Sequence, residues 1–199
     1  MINLKKFIFN KENLLSEEEC NFLIETFNSH QQEIYLENCP NAFTGLDQHS
    51  TFLAQTLKEN TEAGNLVHSK VKEMVNLFHE YLDSFNMFHV LRKTVMVYPH
   101  KYRLLKYETG AQIHPHSDYS QGVYGSCTIN LNDNYTGGEF GFWGNKKKIK
   151  LKKGEGLIFP ADLYWVHQVN PIKKGKRYST NCFLQEFRGE YSDNYNYIQ

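Results

Sequence analysis

The chain has 199 residues, a length that suits one domain with a sizeable hydrophobic core. Hydrophobic residues make up 40% of it and aromatic residues 15%, a composition typical of globular proteins. The 22 basic residues are balanced by 22 acidic ones, so no net charge attracts nucleic acid. The four cysteines form no C-x-x-C pair, and no apolar run approaches the ~20 residues of a membrane span. We therefore expect a cytoplasmic protein with reduced thiols and no membrane partner, and the neutral charge does not favour a nucleic-acid partner.

Two amphipathic helices are predicted in the first half of the chain. Ser16 and Glu19 form a capping-box pattern ahead of an apolar i, i+3, i+4, i+7 stripe, which predicts a helix over about residues 17–29. A second stripe begins at Val67 and follows Thr61 as the predicted N-cap of a longer helix. Residues 31–59 show no convincing period, and we expect a loop that could include a strand or a short helix.

After residue 90 the sequence changes to short strand-like runs separated by Gly, Asn, Asp and Pro. Roughly eight or nine such runs favour a β-sandwich, jelly roll or barrel, with the helices against one face. We expect a single domain over residues 1–199. Its predicted parts are a helical support region (1–90), a β core (91–187) and a polar, tyrosine-rich tail (188–199).

Three possible metal ligands, His114, His116 and Asp118, lie within the run "IHPHSD". Side chains at i and i+2 of a strand point the same way and lie ~6.6 Å apart, whereas i and i+4 are ~13 Å apart. A straight strand therefore allows His114 with His116, or His116 with Asp118, to share one ion. In the second case, another imidazole would complete the facial triad of non-haem Fe(II) oxygenases.

The best candidate for the second imidazole is His167, which lies on a strand-like run before the turn signal "NPIKKG". Arg177 follows ten positions later on the returning strand, with Ser179 on the same face. A guanidinium in that position requires an anion, and a carboxylate is its natural bidentate partner. A dicarboxylate that chelates iron at one end and meets Arg177 at the other would explain both features.

Four ordered blocks of sequence carry a more specific resemblance. They are "YETGAQIHPHSD", with Tyr107, Gly110, His116 and Asp118; "TINLNDNYTGGEFGFW"; "KKGEGLIFP"; and "HQVNPIKKGKRYS", with His167 and Arg177. The chain resembles the prolyl 4-hydroxylase-like group of 2-oxoglutarate and Fe(II)-dependent oxygenases. The resemblance runs from about "NLLSEEECNFLIE" to "STNCFL".

This resemblance implies a mainly β protein with flanking α-helices. Its core would be a double-stranded β-helix, or jelly roll, packed against N-terminal helices. It further implies that His116, Asp118 and His167 bind Fe(II), and that Arg177 pairs with the distal carboxylate of 2-oxoglutarate. These implied roles agree with the interpretation of the residues given above.

Other residues of the same pocket are implied less directly. Tyr107 is similar to the family tyrosine that hydrogen-bonds the cosubstrate, and Asn130 and Ser179 are further candidates for cosubstrate binding. The chain departs from many relatives in having Ile113 instead of an aromatic residue, and His114 as an extra imidazole near the entrance. We expect these differences to affect the substrate rather than the iron chemistry. The substrate groove itself is predicted to include Trp165, Tyr119, Tyr124 and Trp143.

The implied enzyme is a 2-oxoglutarate/Fe(II)-dependent dioxygenase that hydroxylates an aliphatic C–H bond. It would use Fe(II), 2-oxoglutarate and O2, with ascorbate as a candidate reductant, and release succinate and CO2. A prolyl residue in a peptide or protein is the first candidate substrate. One alternative is an oxidative nucleic-acid demethylase of the same superfamily, which the run "KKKIKLKK" favours and the neutral net charge opposes. Another is a non-catalytic jelly-roll binding module, in which Tyr107 and Arg177 would have no purpose.

Overall fold

The computed structural model describes residues 3–40, 49–85, 98–119 and 123–185. This part of the chain forms two α-helices, α1 (Glu17–Ser29) and α2 (Glu62–Asp83), and two 3-10 turns (Leu4–Phe7 and Gln31–Glu33). No helix within these described ranges combines the length and the hydrophobicity needed to cross a membrane.

Both predicted helices are confirmed, together with their N-caps. The Ser16 hydroxyl accepts a hydrogen bond from the Glu19 amide (3.2 Å), and the Glu19 carboxylate accepts one from the Ser16 amide (2.7 Å). At the start of α2, the Thr61 hydroxyl accepts a hydrogen bond from the Gly64 amide (3.1 Å). Each cap satisfies backbone donors that a helix leaves unpaired in its first turn, so local sequence alone determines where these helices begin.

The strands of the described residues follow one another in chain order: β1 (Phe9–Lys11), β2 (Tyr35–Pro40), β3 (His49–Thr56), β4 (Tyr98–Tyr107), β5 (Ile113–His116), β6 (Val123–Asn130), β7 (Thr136–Gly137), β8 (Phe140–Phe142), β9 (Lys147–Ile149), β10 (Gly156–Pro160), β11 (His167–Val169), β12 (Ile172–Lys174) and β13 (Arg177–Gln185). A seven-stranded antiparallel sheet has the order β1-β10-β6-β13-β4-β3-β2, and a four-stranded sheet has the order β5-β11-β8-β9. β7 and β12 form a short ribbon. After β4 the chain passes back and forth between the two sheets, with β5, β8, β9 and β11 in the small sheet and β6, β10 and β13 in the large one. This is the pattern of the predicted jelly roll, which is confirmed.

The large sheet packs on different partners through its two faces. Its outer face buries Leu104, Ile129 and Leu184 against both helices, and α2 contributes the predicted stripe of Val67, Val71, Met74 and Phe78. Its inner face meets the small sheet, where Leu157 and Phe159 pack against Phe140, Phe142 and Val169. The helices therefore support the large sheet from behind, and the space between the two sheets remains for a site.

The predicted helical support region, residues 1–90, also contributes three strands to the large sheet. β1, β2 and β3 lie there, and β3 pairs directly with β4. β3 shows no alternating pattern because both of its faces are covered: Phe52 and Ala54 are buried on the inner side, and Leu53 packs with the helical cluster on the other. A strand that is covered on both faces lacks the period-two signal by which strands are predicted.

Two predictions fall largely or wholly on residues outside the described ranges. The strand-like run "TVMVYP" covers residues 94–99, of which only Tyr98 and Pro99 are described, at the start of β4. The predicted tail, residues 188–199, lies entirely outside. The division of the chain into a support region, a core and a tail within one domain therefore stays a prediction.

The packing of α2 on the large sheet predicts the effect of shortening one side chain. Met74 is fully buried in the helical cluster, so Met74→Ala leaves a cavity and should lower the free energy of unfolding by about 2–5 kcal/mol. Glu73→Ala, at the exposed neighbouring position, should change it by less than about 0.5 kcal/mol. Urea unfolding of the two variants measures both values. Equal losses of stability in Met74→Ala and Glu73→Ala would contradict the assignment of Met74 to the buried face of α2.

Candidate metal centre

Three potential metal ligands converge at the inner face of the small sheet. His116 ends β5 and His167 begins β11, and the two residues are direct partners across these antiparallel strands. Asp118 follows two residues after β5. Its carboxylate lies 3.1 Å from His116 Nε2 and 3.5 Å from His167 Nε2. One ligand atom from each residue lies within 4.8 Å of the others, a spacing that suits a single ion.

Asp118 does not lie on a strand, contrary to the prediction. Asp118 lies beyond the end of β5, in an irregular segment, so its approach to His116 does not come from the regular pleat of a strand. This segment is held by Ser117, whose hydroxyl donates to the Asp162 carbonyl (3.1 Å) and accepts from the Tyr119 amide (3.1 Å). His114 lines the cavity described below but does not belong to the converging group of three residues.

Backbone carbonyls orient both imidazole rings of the group. His116 Nδ1 lies 2.8 Å from the His114 carbonyl, and His167 Nδ1 lies 3.0 Å from the Trp165 carbonyl. A carbonyl oxygen can only accept a hydrogen bond, so each Nδ1 carries the hydrogen. The Nε2 atoms are then directed at the shared point, where the lone pair of a neutral imidazole is available to a metal.

Burial and neighbouring charges set the ionisation of the three groups. Burial alone would raise the pKa of Asp118, but the two imidazoles and a hydrogen bond from the Ser126 hydroxyl outweigh it and hold the pKa well below its usual range. Burial lowers the pKa of His167. Burial also opposes the charge on His116, but its hydrogen bond to Asp118 raises the pKa of that imidazole. An ionised carboxylate and a neutral His167 are the states that metal binding requires.

The converging residues form part of the wall of a cavity of about 260 Å³ between the two sheets. Its other walls combine aromatic side chains with polar ones. Those that line it include Phe52, Tyr107, Phe140, Phe159, Phe183, Ser126 and Thr128. Trp143 and Trp165 instead pack with the core between the sheets, and Tyr119 and Tyr124 are exposed, so none of these four predicted groove residues lines the cavity.

Arg177 is buried next to this cavity, with only 1% of its surface exposed. Its guanidinium lies 5.1 Å from the centres of the Tyr107 and Phe140 rings, and its Nε donates to Asn130 Oδ1 (3.0 Å). Nη1 has no hydrogen-bond partner among the described residues. A buried, charged donor without an acceptor is costly, so this position favours an anionic ligand.

The other predicted cosubstrate residues surround Arg177. Tyr107 pairs with Arg177 in register on β4 and stacks on Phe52 with ring centres 5.1 Å apart. Ser179 lies two residues along the same strand; its hydroxyl is buried and has no hydrogen-bond partner in the described part of the chain. Gly110 turns the chain after β4 with φ of 90°, a left-handed conformation that glycine adopts without strain.

Asn130 lies beside Arg177, in the predicted pocket, but its amide is engaged by other groups of the protein. Its Oδ1 accepts from Arg177 Nε and from the Tyr135 hydroxyl (3.2 Å), and its Nδ2 donates to the carbonyls of Asn132 (2.5 Å) and Leu151 (3.2 Å). Because both ends of the amide are engaged within the protein, Asn130 positions the guanidinium of Arg177 and does not offer its amide to a ligand.

Sequence reasoning missed several residues of the site because they come from strands remote in the chain. Ser126 on β6 donates to Asp118 Oδ2, and Glu37 on β2 and Arg103 on β4 line the cavity. On β6, the polar residues Ser126 and Thr128 alternate with Cys127 and Ile129. This period-two pattern could have indicated that Ser126 and Thr128 share one face of the strand. No local pattern marks Glu37, because it follows a 3-10 turn in a segment that has no period.

Residues 102–185 match the family model described as the 2OG-Fe(II) oxygenase superfamily. The matched segment contains the three converging residues and every predicted cosubstrate residue. No curated protein sequence matches the chain significantly.

Several solved structures have a similar fold. A viral collagen prolyl hydroxylase from Paramecium bursaria Chlorella virus-1, in complex with 2-oxoglutarate, is 17% identical; 92% of this chain and 97% of that one are covered, with a TM-score of 0.65. A Trichoplax adhaerens prolyl hydroxylase, in complex with a peptide of the hypoxia-inducible factor oxygen degradation domain, is 15% identical (90% and 84% covered, TM-score 0.68). A Pseudomonas putida prolyl-4-hydroxylase is 14% identical (90% and 92% covered, TM-score 0.62). At these identities the likeness shows the fold.

The contact between Asn130 and Arg177 predicts a loss of stability. Asn130→Ala removes the acceptor of a buried guanidinium and of the Tyr135 hydroxyl, so it should lower the free energy of unfolding by about 1–3 kcal/mol. Asn134→Ala, at an exposed position nearby, is the matched control. Urea unfolding of both variants tests this. A loss no larger than that of the control would mean that Asn130 does not hold Arg177.

Proposed function

We propose that the chain hydroxylates an aliphatic C–H bond at a centre formed by His116, Asp118 and His167, because residues 102–185 match the model of the 2OG-Fe(II) oxygenase superfamily. The observation that carries the proposal is the convergence of these three ligands on the wall of a cavity beside the buried guanidinium of Arg177. The resemblance and the enzyme class predicted from the sequence are confirmed, and a non-catalytic binding module is not supported.

The residues of the centre fit Fe(II). Two imidazole nitrogens and one carboxylate oxygen are the donor set of the facial triad, which leaves open positions for a cosubstrate and O2. The Ser126 hydroxyl, bonded to one carboxylate oxygen of Asp118, would keep that oxygen turned away and present the other to the metal. Such outer contacts fix the orientation of ligands before the metal arrives.

The side chains around Arg177 fit one carboxylate of 2-oxoglutarate. The guanidinium offers Nη1, while its Nε is retained by Asn130. Ser179 offers a buried hydroxyl without a partner in the described residues, and Tyr107 lies on the paired strand at the cavity wall. A carboxylate placed there would accept from Arg177 Nη1 and from the Ser179 hydroxyl, two donors that have no partner among the described residues.

The bound iron and 2-oxoglutarate would supply the activation of O2, and the protein would supply binding, orientation and the exclusion of water. In the overall reaction, one oxygen atom is inserted into the C–H bond and the other enters succinate as CO2 leaves. The C–H bond and the 2-oxo acid each give up two electrons to O2. Phe52, Phe140 and Phe159 on the walls of the cavity would keep water away from this exchange.

A prolyl residue of a peptide or protein is the first candidate substrate. It is supported by the fold shared with prolyl hydroxylases, one of which was solved with a peptide. Ascorbate would serve as a reductant that returns the iron to Fe(II). A reducing compartment, as the cytoplasm is, agrees with this requirement and with the unpaired thiols of Cys20, Cys127 and Cys182.

Removal of the carboxylate ligand should abolish both metal binding and activity. Asp118→Ala leaves two imidazoles and no anionic donor. Fe(II)-dependent succinate formation should therefore fall to background, and the affinity for the metal should fall at least about tenfold. Metal titration by calorimetry and a succinate assay measure these effects. Asp133→Ala, an exposed aspartate, is the control. Full activity of Asp118→Ala would contradict the assignment.

Removal of the Arg177 guanidinium should weaken the binding of 2-oxoglutarate. Arg177→Met keeps the apolar stem and removes the charge, so kcat/KM for 2-oxoglutarate should fall by about 100-fold, mainly through KM. Lys176→Met removes an exposed charge at the adjacent position and is the matched control. Steady-state kinetics with varied 2-oxoglutarate make the comparison. An unchanged KM in Arg177→Met would place the cosubstrate carboxylate elsewhere.

A further inference from the structure

Both carboxylate oxygens of Asp118 lie close to imidazole nitrogens of the centre. Oδ1 lies 3.1 Å from His116 Nε2, and Oδ2 lies 3.5 Å from His167 Nε2. A carboxylate can bind a metal ion through one of its oxygens or through both. The place of Asp118 beside the two nitrogens therefore allows either mode, and a further contact must decide between them.

The Ser126 hydroxyl makes the two oxygens of this carboxylate unequal. It donates its hydrogen to Oδ2, so that a lone pair of this oxygen is already engaged within the protein. Ser126 is buried on β6, where its partners across the sheet are Phe159 on β10 and Phe183 on β13. A short side chain on a strand that is paired on both sides has little freedom to move. The hydrogen bond to Oδ2 therefore has a fixed direction.

The number of oxygens that Asp118 offers to the metal decides how much room is left for the reactants. Two imidazoles and one carboxylate oxygen occupy one face of an octahedral ion, and the opposite face stays open. That open face must hold both chelating oxygens of a 2-oxo acid as well as O2. A second oxygen from Asp118 would take a position that one of these reactants needs.

We infer that Ser126 is a positioning residue that restricts Asp118 to one oxygen toward the metal, and that it thereby reserves a coordination position for the 2-oxo acid and O2. This inference rests on the proposed function. A side chain that hydrogen-bonds a metal ligand usually orients that ligand and strengthens metal binding. Here the hydrogen bond also withholds one oxygen of the ligand, so it favours cosubstrate binding at the expense of metal affinity.

The two roles predict different effects when the hydroxyl of Ser126 is removed. Loss of a contact that only orients Asp118 should lower the affinity for Fe(II) by about 10–100-fold. Loss of a contact that restricts Asp118 should leave the affinity for Fe(II) unchanged or raise it, because the carboxylate gains a second bond to the ion. The affinity of the Fe(II)-loaded protein for 2-oxo acids should then fall by about tenfold, since the second oxygen must first be displaced.

Anaerobic titrations of Ser126→Ala and Ser126→Cys separate these roles. Cysteine keeps the volume of the side chain and replaces the hydroxyl by a weak donor, so it shows the effect without a cavity. Calorimetry measures the affinity for Fe(II), and the visible charge-transfer absorption of the chelated 2-oxo acid measures the affinity for 2-oxoglutarate. We expect both variants to bind Fe(II) at least as tightly as the natural protein and 2-oxoglutarate about tenfold more weakly. Thr180→Val removes a buried hydroxyl from the neighbouring strand β13 and is the matched control.

A second ligand shows at which end of the 2-oxo acid Ser126 acts. 2-Oxopentanoate has the chelating end of 2-oxoglutarate but lacks the distal carboxylate. Ser126→Ala should weaken the binding of both ligands by the same factor, because the lost position is at the metal. Arg177→Met should weaken the binding of 2-oxoglutarate alone. Weakening confined to 2-oxoglutarate in Ser126→Ala would place its effect at the distal carboxylate and would refute the inference.

The remaining outcomes distinguish the inference from the proposed function. A fall of tenfold or more in the Fe(II) affinity of Ser126→Cys would show that Ser126 only orients Asp118, and the inference would fail. Unchanged affinity of this variant for 2-oxo acids would refute it as well. Both results leave the oxygenase assignment intact, because the natural protein still binds Fe(II) and 2-oxoglutarate. Failure of the natural Fe(II)-loaded protein to bind any 2-oxo acid would overturn both.

Discussion

The pairing of His116 with His167 across β5 and β11 is the contact on which the proposed centre depends. It brings two imidazoles from distant parts of the chain to ring centres 4.3 Å apart, and carbonyls of the same two segments orient them. Asp118 completes the group through a hydrogen bond from Ser126, which lies on the opposite sheet. The centre therefore requires both sheets, and the helices contribute by holding the large sheet from behind.

Buried charge is the second constraint, because the ionisable side chains of Asp118, His167 and Arg177 are all buried between the sheets. Asp118 has imidazoles and a hydroxyl around it, whereas Arg177 has two aromatic faces and the amide oxygen of Asn130. One side of the cavity is thus prepared for a cation and the other for an anion. The proposed cosubstrate, which chelates a metal through one end and carries a carboxylate at the other, would satisfy both sides at once.

Short sequence patterns could predict those features that depend only on residues close together in the chain. The capping box of Ser16 and Glu19 placed the start of α1, and the His-x-Asp pattern identified two of the three converging residues. Contacts between remote strands could not be predicted in this way. β3 gave no period because both of its faces are buried, and Ser126, Glu37 and Arg103 meet the site only through tertiary pairing. Even Asp118 was identified by a strand geometry that it does not have.

The most direct test of the account is an anaerobic titration of the Fe(II)-loaded protein with 2-oxoglutarate, followed by the visible charge-transfer absorption of a 2-oxo acid chelated to Fe(II). The account predicts a saturable absorption in the natural protein, its loss in Asp118→Ala, and saturation only at much higher 2-oxoglutarate in Arg177→Met. Iron that binds to the protein without producing this absorption at any 2-oxoglutarate concentration would contradict the central claim.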